Sequence, residues 1–562
     1  MSRPERQASS ALTTIPWHRI NWAGCHRRVR SLQRRIVQAV QAGAWRKVKR
    51  LSYLLVHSFA ARALAVKRVT ENTGRKTPGV DGDLWDTPEK KAQAIERIGR
   101  WQRYRPVPLK RIYIPKKNGK RRPLSIPAMG DRARQALYLQ ALQPIGETMA
   151  DPNSYGFRPK RQCADAIDQC FNVLRQHTSA TWILEGDIHG FFDNIAFSWI
   201  EAHIPMHKGV LAKWLRSGFV DHGALYPTTA GVPQGGIISP VVSNLVLDGL
   251  EAVVHGSAWH RRVHHINYVR WADDFIVTAN SRQVLEETIL PRIIAFLAER
   301  GVRLSTEKTV ITPITDGFDF LGQTLRKHAR RNGKPAKLQI TPSKGSFQSI
   351  KTQVKVLCEQ AVGPTPARLI ERLNPVLRGW ANYHRHILCA ETFATLDSFV
   401  WRRLYRWAKQ RHPDKTGRWI TSRYFPHQTG ESWRFTDPTS GLQLIRVQEA
   451  VTPQRHIKIK GDANPFDPQW EAYFQYHDRQ RALRTTSVFR AKILNQQTGI
   501  CPICRQVIQS EEHLELHHRD GNHQNNRRAN LVFLHPNCHR QVHYAPESTT
   551  ASTRPARGVD HA

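Results

Sequence analysis

The sequence predicts an α+β chain of several domains, closed by a small module that needs its own means of stabilisation. Three observations carry the prediction. Apolar residues recur at helical spacing on both flanks, from about 26 to 70 and from about 345 to 410. Between the flanks, β-branched and aromatic runs are broken by Gly, Pro, Asn and Asp, the pattern of short strands and hairpins. Near the C-terminus, Cys501-Pro502-Ile503-Cys504 is answered by His535-Pro536-Asn537-Cys538, the ligand spacing of a closed tetrahedral zinc site.

A chain of 562 residues accommodates roughly three to five domains. Lys and Arg number 85 against 45 Asp and Glu, a formal charge of +40. An excess of that size implies a polyanionic partner over much of the surface. No apolar run approaches the roughly 18 residues that a membrane span requires, and the basic residues are spread along the chain. The expected partner is therefore nucleic acid, with no membrane. Residues 1–20 have no apolar core of the secretory kind, and their Arg and Ser content leaves an organellar presequence as the alternative to a bacterial cytoplasmic, nucleoid-associated location. Cys25, Cys163, Cys170, Cys358 and Cys389 are scattered as in a reducing compartment, whereas Cys501, Cys504 and Cys538 have ligand spacing.

In chain order, Val29, Leu32, Ile36 and Val40 form one helical stripe, and Trp45, Val48 and Leu51 begin another. Arg27, Arg28, Arg30, Arg34 and Arg35 crowd the rest of the first helix, and charges of one sign favour a phosphate-facing surface over an ordinary solvated one. Thr77 to Gly82 is a turn. Arg111 to Leu124 reads as a hairpin about Asn118-Gly119, with Lys116, Lys117, Lys120, Arg121 and Arg122 near its tip. The apolar run from Trp182 ends at Asp187, a carboxylate at the mouth of a buried strand. Gly231-Val232-Pro233-Gln234-Gly235-Gly236 is a loop entering an apolar segment. Tyr268 to Val277 reads as two strands turning at Asp273-Asp274. A lone Asp-Asp is usually a solvated acidic turn; here two further motifs point to a cation site.

A strand-end Asp, a Pro-Gln-Gly loop and an Asp-Asp hairpin, in that order, resemble the palm of a reverse transcriptase. Trp271 stands where that family usually has Tyr, keeping the aromatic bulk and losing the hydroxyl. The resemblance extends to Ser154-Tyr155-Gly156-Phe157-Arg158-Pro159, to Leu304 through Thr309, and to Phe320-Leu321-Gly322, similar to the primer grip. It implies a right-hand polymerase. Two Mg2+ ions would be held by Asp187, Asp273 and the Ile188 carbonyl, with Asp274 beside them. Lys116, Arg122 and Lys308 would contact the triphosphate, Gln234 would line the nucleotide pocket, and Phe192 would exclude a 2′-hydroxyl. A hairpin touching only the template backbone is the alternative for Lys116 and Arg122.

Arg378-Gly379-Trp380-Ala381-Asn382-Tyr383 resembles the maturase domain of group II intron-encoded proteins, and aromatics interleaved with Arg and His suit RNA. Residues 416–492 are basic, aromatic and weakly periodic, and match the family's DNA-binding region by position. In the final cassette, His517-His518, Asn530 and Cys538-His539 resemble an HNH endonuclease of the ββα-metal type. That resemblance implies a divalent ion on His517, His539 and His543, with His518 as general base oriented by Asn530. Cys501, Cys504, His535 and Cys538 would hold the structural zinc, and a zinc ribbon that only binds DNA is the alternative. The expected domains are a basic helical extension (1–90), fingers and palm (91–335), thumb and maturase domain (336–415), DNA-binding region (416–492), HNH domain (493–545) and a disordered tail (546–562). The family implies a reverse transcriptase that uses dNTPs, binds its intron RNA to assist splicing, and nicks target DNA. A non-enzymatic splicing cofactor and a polymerase recruited to a host role are the alternatives.

Overall fold

The computed structural model describes residues 15–115, 119, 121–330, 334–360, 365–426, 434–485, 488–508 and 514–544. The expected tail and Lys116 lie outside these residues. Among them, no helix is long and apolar enough to cross a membrane. The strands are β1 (Leu109–Pro115), β2 (Arg121–Ile126), β3 (Trp182–Asp187), β4 (Phe219–Asp221), β5 (Ala224–Tyr226), β6 (Asn267–Trp271) and β7 (Asp274–Ala279), then β8 (Val310–Pro313), β9 (Phe318–Phe320), β10 (Gln323–His328), β11 (Lys337–Pro342), β12 (Glu515–His518) and β13 (Leu531–Leu534). The chain divides into two compact units, 1–150 with 190–247 and 463–562, and 151–189 with 248–462.

In the first unit, helices Trp22–Gln41, Trp45–His57 and Phe59–Glu71 pack with the long helix Met129–Met149. The Asn21 side chain caps the first of them by accepting from the Gly24 amide at 2.8 Å. The stripe Val29, Leu32, Ile36 and Val40 is buried, as its spacing predicts. Trp45 corrects the second stripe: it is 41% exposed at the helix start, and burial begins at Val48. A sheet of order β2-β1-β4-β5 follows, with β1 antiparallel to β2 and parallel to β4.

The C-terminal cassette belongs to this same unit and rests on its N-terminal helices. Trp17 Nε1 donates to Asn537 Oδ1 at 3.1 Å, Gln541 Nε2 donates to the carbonyls of His18 and Ile20, and Arg540 lies 3.6 Å from Glu71. Arg34 pairs with Glu471 at 2.6 Å and Arg30 donates to Gln506 at 3.1 Å. Part of the basic face expected to meet phosphate is thus taken by the chain's own later segments.

The second unit is built on an antiparallel sheet of order β6-β7-β3-β8, with a smaller one of order β11-β10-β9. Helices Lys344–Glu359, Pro366–His384 and Ala390–Arg411 close over a core that includes Leu369, Leu373, Leu377, Phe393 and Leu404. That core continues through Ile420, Tyr424, Phe425, Phe435, Leu444 and Val447. The stretch expected as one basic region, 416–492, is therefore divided: residues to 462 complete this helical core and those from 463 join the first unit. Its weak periodicity has a physical cause, since the two short helices Gly417–Tyr424 and Val447–Ala450, with single side chains such as Phe425, Phe435 and Leu444 from irregular backbone between them, fill the gaps between the long helices.

Candidate active site and metal centres

The central sheet places the acidic residues. Strands β3 and β7 run antiparallel with Asp187 opposite Asp274, and β6 pairs Trp271 with Asp274 across the turn that holds Asp273. Ala272 turns the chain with φ of 57°. Two glycines let this happen. A Cβ on Gly186 would fall 2.2 Å from the ring of Phe275, its cross-strand partner, and one on Gly156 would fall 2.3 Å from the Ala272 amide nitrogen. The ring therefore lies across β3 at Gly186, and the 154–156 segment runs against the back of the turn, where the Tyr155 amide donates to the Arg270 carbonyl at 2.9 Å.

Burial, then repulsion from Asp273 and Asp187, raises the Asp274 pKa to about 6. Lys308 Nζ lies 2.8 Å from Asp187 Oδ2, and that contact raises the lysine's own pKa. The Asp187 carbonyl accepts from the Ser305 amide at 2.8 Å, and Ile188 bridges to Leu304, which ties the strand end to the loop carrying Lys308. Asp187 beside Asp274, with Asp273 at the adjoining turn and Lys308 as counter-charge, offers hard oxygen donors of the kind that suit Mg2+.

Sequence reasoning missed two features here. Arg270, fully buried on β6, pairs with Asp248 at 2.6 Å beneath the turn. Glu185, two residues before Asp187 on β3, has its pKa raised to about 7 by burial and by Asp319. Period-two alternation puts Glu185 and Asp187 on one face of the strand, which was readable; the partner Asp319 was not.

The other expected nucleotide contacts fall in the first unit. Phe192 lies in the short helix Phe191–Asn194, its ring 5.5 Å from that of Phe191. The Phe192 carbonyl accepts from the Val232 amide at 2.6 Å, and the Gln234 carbonyl accepts from the Ser125 amide at 2.7 Å. The Gln234 side chain reaches Asp193 Oδ2 at 3.4 Å. The Pro-Gln-Gly loop thus joins the Phe192 segment to β2, where Arg122 is exposed opposite Ile114.

In the cassette, the ligand atoms of Cys501, Cys504, His535 and Cys538 lie within 4.8 Å of one another, as do those of His517, His539 and His543. Cys504 Sγ is 3.3 Å from His535 Nδ1, and hydrogen bonds from Cys504 and Cys538 hold the Cys501 thiol below the usual thiol range. Three buried thiols with one imidazole fit zinc. In the second cluster, Glu515 lies 2.7 Å from His539 Nδ1, which leaves Nε2 to face His543 Nε2 at 3.2 Å. Such a carboxylate behind a histidine is the usual orienting partner of a metal ligand. Burial and repulsion from His539 and His543 lower the His517 pKa.

His518, next on β12, bonds through Nε2 to Asn526 Oδ1 at 3.2 Å, and its ring lies 5.1 Å from that of His523. Asn530 corrects the expectation. Its side chain donates to Asp520 Oδ1 at 2.8 Å and to the Asn525 carbonyl at 2.9 Å, bracing the loop after β12 rather than the His518 ring. Asn526 makes the contact expected of it, a choice that an Asn-rich loop does not reveal in sequence.

Comparison with known proteins agrees with this geometry. Residues 114–325 match the model for reverse transcriptase (RNA-dependent DNA polymerase), residues 17–98 the N-terminal domain of reverse transcriptase, and residues 347–425 the group II intron maturase-specific domain. The fold is thus that of a reverse transcriptase. Protein YkfC of Escherichia coli is 32% identical over 320 residues, covering 50% of this chain and 84% of its own. The group II intron-encoded protein LtrA of Lactococcus lactis is 25% identical over 510 residues, covering 71% of this chain and 84% of its own. The chain belongs to the group II intron maturase and reverse transcriptase family. It is an RNA-directed DNA polymerase that uses dNTPs, and its maturase domain binds intron RNA in support of splicing. Polymerases of this family typically use Mg2+.

Proposed function

We propose that Asp187, Asp273 and Asp274 form the polymerase centre, and that the cassette nicks target DNA to supply the primer for copying the intron RNA. The carrying observation is the register that sets Asp187 opposite Asp274, with Asp273 at the adjoining turn. In this reading residues 91–335 are fingers and palm, 336–415 begin the thumb and maturase domain, and 493–545 are the HNH domain. Asp187, Asp273 and the Ile188 carbonyl hold two Mg2+ ions, which supply activation of the primer 3′-hydroxyl and charge for the departing pyrophosphate. Lys308 pairs with Asp187 at 2.8 Å and stands beside the carboxylates to meet an incoming triphosphate. Phe192, Gln234, Arg122 and Lys116 take the nucleotide-pocket roles that the family resemblance assigns.

In the cassette, Cys501, Cys504, His535 and Cys538 bind structural zinc, and His517, His539 and His543 bind the nuclease ion. His518 serves as the general base toward water. Asn526 fixes its ring. A protein that acts on intron RNA and on chromosomal DNA would meet both in a bacterial cytoplasm, at the nucleoid. The test is Asp273→Ala, which removes a carboxylate from the turn. Primer extension on an RNA template should stop while intron RNA binding and assisted splicing persist; extension at the normal rate would refute the assignment.

A further inference from the structure

A cleft of about 790 Å³ opens in the second unit, where the end of helix Cys163–Leu174 and the loop before β3 face helices Leu250–His255 and Ala258–Val263. It borders Ala180 and Asn267, at the ends of β3 and β6 remote from Asp187 and Asp273. The length of a strand separates it from the carboxylates, about 17 Å at the usual rise. Its volume lies within the roughly 300–1,000 Å³ of small-ligand sites.

Its chemistry is one-sided. No Asp or Glu lines it, whereas Arg261, Arg262 and His265 do. His255 is 9% exposed, and its Nε2 is buried with no hydrogen-bond partner among the described residues. Its other nitrogen is 4.0 Å from Glu251, and burial lowers its pKa to about 4, so the ring is neutral and can donate or accept. A buried polar atom without a partner disfavours an empty site and favours a ligand that bonds to it. Arg292 Nη1, close to the lining residue Gly256, is likewise buried without a partner among the described residues. On the short helix whose Ala258, Arg261 and Arg262 line the cleft, Trp259 lies outside the lining, is 69% exposed and precedes the two arginines.

An aromatic face, adjacent guanidinium groups and a polar recess are the three elements that recognise an unpaired nucleotide by stacking, by phosphate contact and by its base edge. We propose that this cleft binds an unpaired nucleotide of RNA, as an RNA contact separate from the polymerase centre. The base enters the recess and bonds to His255 Nε2. Arg261 and Arg262 meet the flanking phosphates, and Trp259 stacks on the neighbouring base. An acidic peptide could satisfy the arginines, but it has no use for the recess or the exposed ring together.

The test uses the full chain with its polymerase site saturated by a primer–template duplex, and a uridine-rich single-stranded RNA carrying thiouridine as the probe. Photo-crosslinks are expected in the peptides that cover 252–267. Trp259→Ala should weaken probe binding roughly 5- to 150-fold, the range for loss of one stacked base. Arg261→Gln combined with Arg262→Gln should reduce the slope of log affinity against log salt by about 1.4, at about 0.7 per phosphate for single strands. All three side chains are exposed, so both variants should fold and extend a supplied primer at the normal rate. Unchanged affinity and salt slope in both variants, crosslinks confined to other segments, or tighter binding of an acidic peptide than of the RNA would each overturn the proposal.

Discussion

Asp248→Ala should loosen the acidic hairpin without touching any carboxylate on it. The Arg270 side chain is 0% exposed and that of Asp248 6% exposed, with 2.6 Å between them. Removing the aspartate takes a 2.6 Å ion pair away from a guanidinium buried beneath the turn, whose bond to the Ala272 carbonyl is long at 3.4 Å. Breaking a buried pair from one side costs about 3–5 kcal/mol, because the partner charge stays desolvated. Replacing both members by apolar residues of similar size removes that charge as well. Asp248→Leu with Arg270→Met should therefore recover most of the loss, to within about 1–2 kcal/mol of the parent. Hydrogen exchange of the amides in β6 and β7 is the suitable assay, since it reads opening of this sheet in a chain of several domains, where a single melting curve would not. The single variant should lose about two to four powers of ten in protection there, at about 1.4 kcal/mol per power of ten, and its primer extension should fail at a lower temperature. If the single variant exchanges like the parent, or the double variant is as labile as the single, then charge burial is not what holds the hairpin in place.

Three further outcomes are expected. The raised Asp274 pKa makes the metal-free protein less stable as pH climbs, because its contribution is full below about 3.8 and is lost through about 6. The shift corresponds to about 3 kcal/mol at most, and to about 1 after screening, since Asp274 keeps part of its side chain in water; hydrogen exchange of the β6 and β7 amides, compared at each pH between Asp274→Asn and the parent in chelator from pH 4 to 8, should show the variant gaining on the parent across that window. Cys504→Ser should lose zinc and, because the cassette rests on Trp17, His18 and Ile20, should also expose the N-terminal helices to protease. His518→Ala should keep zinc and fold while target nicking stops, and normal nicking would leave a DNA-binding zinc ribbon as the reading. Phe192→Ala should admit ribonucleotides in competition with dNTPs during primer extension, and an unchanged preference would place the sugar gate elsewhere.

Local chemistry was legible in the order of the residues. The apolar stripe of Val29, Leu32, Ile36 and Val40, the turn at Asp273 and the spacing of Cys501, Cys504, His535 and Cys538 all reflect periods and ligand intervals set within a few residues or by repeated ligand pairs. The three polymerase motifs could be read because each couples a strand or loop boundary to a residue with little other reason to be there. Contacts between distant segments were not legible. Asp248 and Arg270 lie 22 residues apart, and either alone reads as an ordinary surface charge until the fold removes water from both. Asn526 and Asn530 are equivalent in composition, and only the path of the loop decides which one reaches His518. The 416–462 stretch has no period because it fills spaces made by other helices, and the cassette's seat on Trp17 joins residues 520 positions apart. A sequence records the periodicity of one element well, since neighbours along the chain create it. Which elements meet depends on total burial and on polar groups finding partners, and that balance is struck only once the whole core has formed.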